Sequence, residues 1–196
     1  AGPPQQELLL QLFGEEAARA MVVHYDYTVL AGTQGARNHY KQDRMFELAL
    51  RFRMPIVLFG EGGGGRPGDD STGPAVAFDT HTFTQFSKLS GAVPMVGVNH
   101  GRCFAGNTAL LACCDVIIAT KDSTIAMGGP AMIEGGGLGI YTPEEVGPMS
   151  FQVPNGVVDI LVEDEAEAVQ VAKQYLSYFQ GSTDSWEAPD QRKLRH

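Results

Sequence analysis

Apolar residues fall into short blocks separated by glycine, and the blocks alternate between two periods. Ile56-Val57-Leu58-Phe59 is a continuous apolar run, too short for a helix and bounded by Pro55 and Gly60, which predicts a buried strand. Residues 93–98 and 116–120 have the same character, and 123–127 and 157–162 predict two more strands. Residues 21–30 have strand composition with a polar break at His24 and Asp26, which predicts two strands or one bent hairpin. The helical period appears over 36–53, where Met45, Leu48, Ala49 and Phe52 make one apolar face. It returns over 78–89 through Phe83, Phe86 and Leu89, and over 164–179 through Ala166, Val169, Ala172, Leu176 and Phe179, with Gly181 as the stop. Residues 107–114 predict a short apolar helix and 131–134 another. Residues 5–13 and 15–20 predict a packing helix interrupted by Gly14; 69–74, 135–139 and 143–148 read as loops.

Strand, glycine turn and helix therefore follow one another twice, at 56–65 and at 95–114. That order predicts an α/β fold with a mostly parallel sheet, whose ligand edge lies where strand C-termini meet helix N-termini.

Six of the nine residues after Phe59 are glycine. Glycine removes the Cβ, permits positive φ and lets another molecule approach the backbone. A bare linker is one reading. A phosphate loop is a second: the spacing Gly60-x-x-x-x-Gly65 fits, but Arg66-Pro67 stands where Lys-Ser or Lys-Thr is required. The third is a row of backbone N–H groups that meets a developing oxyanion, as acyl-CoA enzymes use. Arg37, Lys41 and Arg44 lie on the early turns of the 36–53 helix, where they either hold a phosphate or form an ordinary solvated face.

Side-chain chemistry is sparse by comparison. No G-x-S-x-G elbow occurs, and no Ser and Asp complete a triad with His100, which sits in a glycine turn. His24 reads as a half-buried strand histidine before it reads as a base. The pairs Glu144-Glu145 and Asp69-Asp70 read as solvated loop charge. No C-x-x-C or H-E-x-x-H suggests a metal. Few bases and many bare amides suit chemistry by positioning and oxyanion stabilisation.

The 196 residues suffice for one domain with a core, and 43% hydrophobic content makes the chain globular. A formal net charge of −9 argues against general nucleic-acid binding. No apolar run reaches the length of a membrane span and no signal peptide opens the chain. Cys103, Cys113 and Cys114 read as reduced core thiols of a cytoplasmic protein. A first residue Ala1, the linker-like Gly2-Pro3-Pro4 and the charged residues 190–196 predict a piece of something longer.

Four stretches, in order and at similar spacing between about 21 and 180, resemble the carboxyltransferase component of biotin-dependent acyl-CoA carboxylases. Residues 27–36, YTVLAGTQGA, resemble that family's FTVFGGSxSGA. Gly62-Gly63-Gly64-Gly65-Arg66 is similar to SGGAR, and Gly101-Arg102-Cys103-Phe104-Ala105-Gly106 to GPCAGG. Lys121-Asp122-Ser123 and Gly129-Pro130 resemble KDTS…TGP. The chain departs from the pattern at Gly62 and Gly65, which replace Ser and Ala, at Arg102, which replaces Pro, and at Asn107, where a small apolar residue is usual.

The resemblance implies a ClpP/crotonase-like spiral of ββα units and the N-terminal, coenzyme-A-binding half of a two-half transferase. It implies a packing helix and linker over 1–20, the domain over 21–181 and a linker toward a C-terminal half over 182–196. In such enzymes carboxybiotin on a separate carrier domain provides the carboxyl group, and an acyl-CoA enolate receives it. The residues implied as backbone oxyanion donors are Gly63, Gly64 and Gly106. Those implied on the CoA side are Gly32, Gly35, Ala36, Arg37, Lys41, Gly65, Arg66, Gly129 and Pro130, with no metal. Implied partners are acyl-CoA, the biotin carrier domain, the C-terminal half and further copies of the chain. Two alternatives remain: a crotonase-superfamily enoyl-CoA hydratase or isomerase, and a non-catalytic CoA-binding module of a larger chain.

Overall fold

The computed structural model describes residues 20–66, 68 and 81–179. Among them run strands β1 (Met21–Val23), β2 (Ile56–Phe59), β3 (Met95–Asn99), β4 (Arg102–Phe104), β5 (Val116–Thr120), β6 (Thr124–Ala126) and β7 (Ile160–Val162). The helices are α1 (Ala36–Phe52), α2 (His81–Ser87), α3 (Gly106–Leu111), α4 (Pro130–Gly135), α5 (Met149–Gln152) and α6 (Glu165–Ser177).

Five strands make one parallel sheet in the order β1-β2-β3-β5-β7. The central strands β3 and β5 are buried at every position, which is why they are continuous apolar runs without alternation. The start of a parallel strand leaves a donor on its neighbour, and aspartates take it up twice. Asp115, just before β5, accepts the N–H of Met95 at 2.8 Å; Asp159, just before β7, accepts that of Ile117 at 2.7 Å.

A second, smaller layer runs beside the main sheet. Its centre is the parallel pair β4-β6, with Cys103 opposite Ile125. Parallel bridges Gly62↔Cys103 and Gln34↔Gly65 extend it on one side, and the antiparallel bridge Thr124↔Pro148 on the other. Each of β1, β2, β3 and β5 thus hands the chain to a short segment in this layer, and α1, α3 and α4 follow three of those segments. This is the repeated strand–strand–helix unit that the sequence resemblance implies.

The core has three parts. Phe46 and Ala49 of α1, with Phe86 and Leu89, cover one face of the sheet over Ile56, Leu58 and Met95; the rings of Phe46 and Phe86 are tilted with centroids 4.7 Å apart. Ala168 and Ala172 of α6 cover the other face over Val57, Val96, Val98, Val116 and Ile118. Cys103, Leu111, Ile117, Ala119 and Ile125 join the sheet to the second layer.

Several expectations are corrected. Residues 24–30 form no strand or hairpin: Asp26 Oδ1 accepts both the N–H and the hydroxyl of Thr28, and this local turn outcompetes β propensity and leads into a 3₁₀ turn at Leu30–Gly32. On α1 the buried stripe is Gln42, Phe46 and Ala49, and Phe52 is partly exposed. On α6 the buried residues are Ala168 and Ala172, with Val171, Tyr175 and Leu176 partly buried against the same core; Ala166 and Phe179 are exposed. β7 is shorter than 157–162, and α5 forms without a sequence signal. The packing helix, residues 1–19, the 69–74 loop, residues 78–80, Gly181 and the 182–196 linker lie outside the described residues. No helix among the described residues is long and apolar enough to cross a membrane.

Candidate functional site

The two glycine turns leave β2 and β3 at the same edge of the sheet and interlock in the second layer. Gly62 N–H donates to Arg102 O at 2.8 Å, and Phe104 N–H donates to Gly62 O at 2.8 Å. On the other side Gln34 N–H donates to Gly64 O at 2.6 Å and Arg66 N–H to Gln34 O at 2.8 Å. The segment 32–35 before α1, the glycine run and the start of α3 therefore stand side by side.

Close approach here requires glycine. Gly64 has φ +86°, and a Cβ on it would lie 2.5 Å from Ala105 Cβ and 3.3 Å from Gly106 N. The amide of Gly106 is thus packed directly against the glycine run. Ala105 carries the counterpart strain, at φ 51°, ψ −121°, held by its N–H bond to Ala126 O at 3.2 Å.

The amides divide into paired and unpaired. Gly63 N–H donates to Ala31 O at 2.9 Å, and Gly64 N–H donates to Asn107 Oδ1 at 3.0 Å. The expectation that these two are bare donors is amended: each has an internal acceptor. The N–H groups of Gly65 and Gly106 have no acceptor among the described residues. Among the described residues a Cβ on Gly65 would meet nothing within 4 Å, and Gly65 is exposed.

Asn107 is the hub behind these turns. It is fully buried, and its Oδ1 also accepts from Gln34 Nε2 at 3.1 Å. Its Nδ2 reaches Glu61 O at 3.4 Å and Gly32 O at 3.5 Å. Gln34 is also buried, and its Oε1 has no partner among the described residues. Neither side chain was assigned a role from the sequence. Asn107 was visible only as a departure from the pattern it resembles, and Gln34 carried no signal.

The remaining expected residues are distributed as follows. Gly32 is buried beneath the glycine run, and Gly35 N–H donates to Asn38 Oδ1 at 3.2 Å. Arg66 folds back, its guanidinium donating to Thr33 O at 2.8 Å and to Thr33 Oγ1 at 3.3 Å. Ala36 opens α1, and Arg37 and Lys41 are exposed on its first turns. Gly129 and Pro130 open α4 on the far side of Phe104: a Cβ on Gly129 would lie 3.6 Å from that ring. His24 is exposed and outside this group.

Ionisable groups at this edge point elsewhere. Glu61 Oε2 pairs with His100 Nε2 at 3.2 Å, and Glu61 lies over Gly101, where a Cβ would be 1.8 Å from Oε1. The Glu61 hydrogen bond holds the His100 imidazolium above the usual histidine range, against an opposing desolvation. Cys103 donates to Gly60 O at 3.0 Å, and burial pushes its thiol up to about 12. Burial also raises Cys113 and Cys114, and all three cysteines are free, so they are inert thiols rather than nucleophiles. No cluster of metal-binding side chains occurs among the described residues.

Comparison with known proteins places the chain. A single-chain, multi-domain long-chain acyl-CoA carboxylase of solved structure is 63% identical, with a TM-score of 0.76 over 89% of this chain and 17% of that one. The uncharacterized carboxylase YngE of Bacillus subtilis (strain 168) is 31% identical over 81% of this chain and 32% of its own length. The methylmalonyl-CoA carboxyltransferase 12S subunit of Propionibacterium freudenreichii subsp. shermanii is 31% identical over 78% of this chain and 29% of its own. This chain spans about a third of the length of these two curated relatives. Its fold is the crotonase-like one of its structural neighbours, which are carboxyltransferases. Residues 16–195 match the carboxyl transferase domain, and the chain belongs to that family.

Proposed function

We propose that this chain is the N-terminal, CoA-binding part of the carboxyltransferase of a biotin-dependent acyl-CoA carboxylase. The observation that carries the reading is the pair of backbone amides, Gly65 and Gly106, that have no acceptor among the described residues, at the junction of two glycine turns. When the α-proton of an acyl-CoA leaves, negative charge moves to the thioester oxygen. Two fixed N–H groups at that position lower the barrier because they need no reorganisation as the charge develops. Gly63 and Gly64 form the frame that holds them.

The CoA side is assigned to Gly32, Gly35, Ala36, Gly65 and Arg66 beside the amides, with Gly129 and Pro130 across Phe104. Arg37 and Lys41 supply positive charge for the nucleotide phosphates from the exposed start of α1. Carboxybiotin, presented by a carrier domain, supplies the activated carboxyl group. No residue of this chain is assigned to hold it; that side belongs to a C-terminal half. The reading needs no protein base, because biotin would take the α-proton once CO₂ has left it and the enolate would attack that CO₂; α3 carries no carboxylate, and Glu61 is engaged by His100. A hydratase or isomerase would need a carboxylate in that place.

The test is carboxyl transfer from free carboxybiotin to acetyl-CoA and propionyl-CoA by the full-length protein, with CoA binding measured separately by calorimetry. Transfer to one or both thioesters is expected. CoA binding without transfer would favour the non-catalytic module, and hydration of an enoyl-CoA would favour the hydratase.

A further inference from the structure

We propose that Asn107 is the positioning residue of the glycine site. The inference rests on reading that site as an oxyanion hole. Its structural part stands on the hydrogen bonds themselves.

The orientation of the Asn107 carboxamide is fixed by its partners. Gly64 N–H can only donate, so the atom facing it is Oδ1. Gln34 shares that oxygen and must present its Nε2. Nδ2 is then directed at the carbonyls of Glu61 and Gly32. One buried side chain thereby ties the turn before α1, the glycine run and α3 together.

The space it fills is the space a residue-62 side chain would need. A Cβ at Gly62 would stand 2.1 Å from Asn107 Nδ2 and 2.8 Å from its Cγ. Gly32 O would also stand 2.5 Å from that Cβ, so the backbone and Asn107 together leave no room for a side chain at 62.

The consequence falls on the amides. Because Asn107 Oδ1 holds the Gly64 N–H, that amide is withdrawn from any ligand, and the next one, Gly65, is presented beside Gly106. Asn107 touches no substrate in this arrangement. It acts through the angle of the Gly64-Gly65 peptide.

The experiment uses the full-length protein and three variants: Asn107→Ala, Gly62→Ser and the double variant. Asn107→Ala should lower kcat for carboxyl transfer by about tenfold or more, with KM for the acyl-CoA changed by less than about twofold, because misorientation costs the transition state rather than ground-state binding. Gly62→Ser alone should also lower kcat, because its Cβ meets both Asn107 and Gly32 O, and since both changes disturb the same turn the double variant should lose less than the sum of the two. Amide hydrogen exchange at Gly64 should be slow in the wild type and at least about tenfold faster in Asn107→Ala. Unchanged kcat in Asn107→Ala, strictly additive losses in the double variant, or exchange at Gly64 as fast as an open loop in the wild type would each overturn the proposal. If Asn107→Ala does not fold, Asn107→Ser, whose shorter side chain withdraws the acceptor, should show fast exchange at Gly64; slow exchange there counts against the role. A wild type with no transfer activity would sink the oxyanion-hole reading, while the exchange measurements still decide whether Asn107 braces the turn.

Discussion

Gly64 and Gly65 are adjacent, yet a side chain meets opposite fates at the two positions. At Gly64 the backbone has φ +86° and Ala105 Cβ stands 2.5 Å from where a Cβ would be; at Gly65 no atom of the described residues lies within 4 Å of that point. Gly64→Val should therefore lower carboxyl transfer by roughly 10²-fold or more, the order of losing a positioned oxyanion donor, since the Gly106 amide is displaced with it. Unchanged turnover in the full-length protein would sink the assignment. Gly65→Ala should leave the melting temperature within about 1 °C of wild type, because it adds no contact and relieves no strain. The Glu61–His100 pair gives a second residue-scale expectation. The hydrogen bond to Glu61 raises the folded-state pKa of His100, aided by the nearby charge of Glu165 and opposed by desolvation. A raised pKa means that the pair's contribution is fully present below the unfolded-state pKa, about 6.5, and is lost as pH rises through the folded value. Thermal melts of wild type and Glu61→Gln should thus converge as pH is raised from 6 toward 9. A gap that widens with pH would contradict the pairing.

At the scale of elements, each piece holds through one or two local devices. Asp164 caps α6 by accepting the N–H of Glu167 at 2.9 Å, while Glu167 reaches back to the N–H of Glu163 at 2.7 Å. Asp164→Ala should cost about 1 kcal/mol in urea denaturation, the usual value of such a cap. A loss of zero would mean that packing of Ala168 and Ala172 alone sets the helix start. These devices also explain what the sequence made legible. The continuous apolar runs at 56–59 and 116–120 announced buried parallel strands, because a strand covered on both faces has no polar alternation. Residues 24–30 misled, because the Asp26–Thr28 turn is decided by one side chain rather than by composition. α5 was invisible because four residues carry no period, and its place is set by the Thr124↔Pro148 bridge and by Gln152 Nε2 donating to Ile125 O at 2.5 Å. The glycine site was legible as a place and illegible in its detail. Glycine content marks where backbones approach, but which amides stay bare depends on Asn107 and Ala31, acceptors distant in the sequence or formed by backbone.

At the scale of the whole molecule, the described residues carry the glycine site and a stretch of exposed apolar side chains. Met127, Met132, Leu138, Ile140 and Phe151 are each more than 60% exposed, and they fall along one stretch of chain from the end of β6 into α5, the stretch that contains Gly129 and Pro130. So much exposed apolar side chain in one short segment is unusual for a surface facing only water. The chain also spans about a third of the length of its curated relatives. Both observations support the expectation that residues 1–196 alone do not transfer carboxyl groups. The amides of Gly65 and Gly106 would still be held, so weak CoA affinity should survive; the α-proton would stay in place, because no residue here is assigned to bring carboxybiotin to it. The isolated chain should associate or aggregate through the 127–151 surface, and Ile140→Glu with Met132→Lys should reduce that association in sedimentation velocity without lowering the melting temperature, as both side chains already face solvent. The decisive measurement is transfer from free carboxybiotin to acetyl-CoA and propionyl-CoA by residues 1–196, with and without the separately expressed C-terminal half. Activity only on mixing is the expected result. Full activity from residues 1–196 alone would refute the half-site arrangement and make this chain a self-contained crotonase-type enzyme.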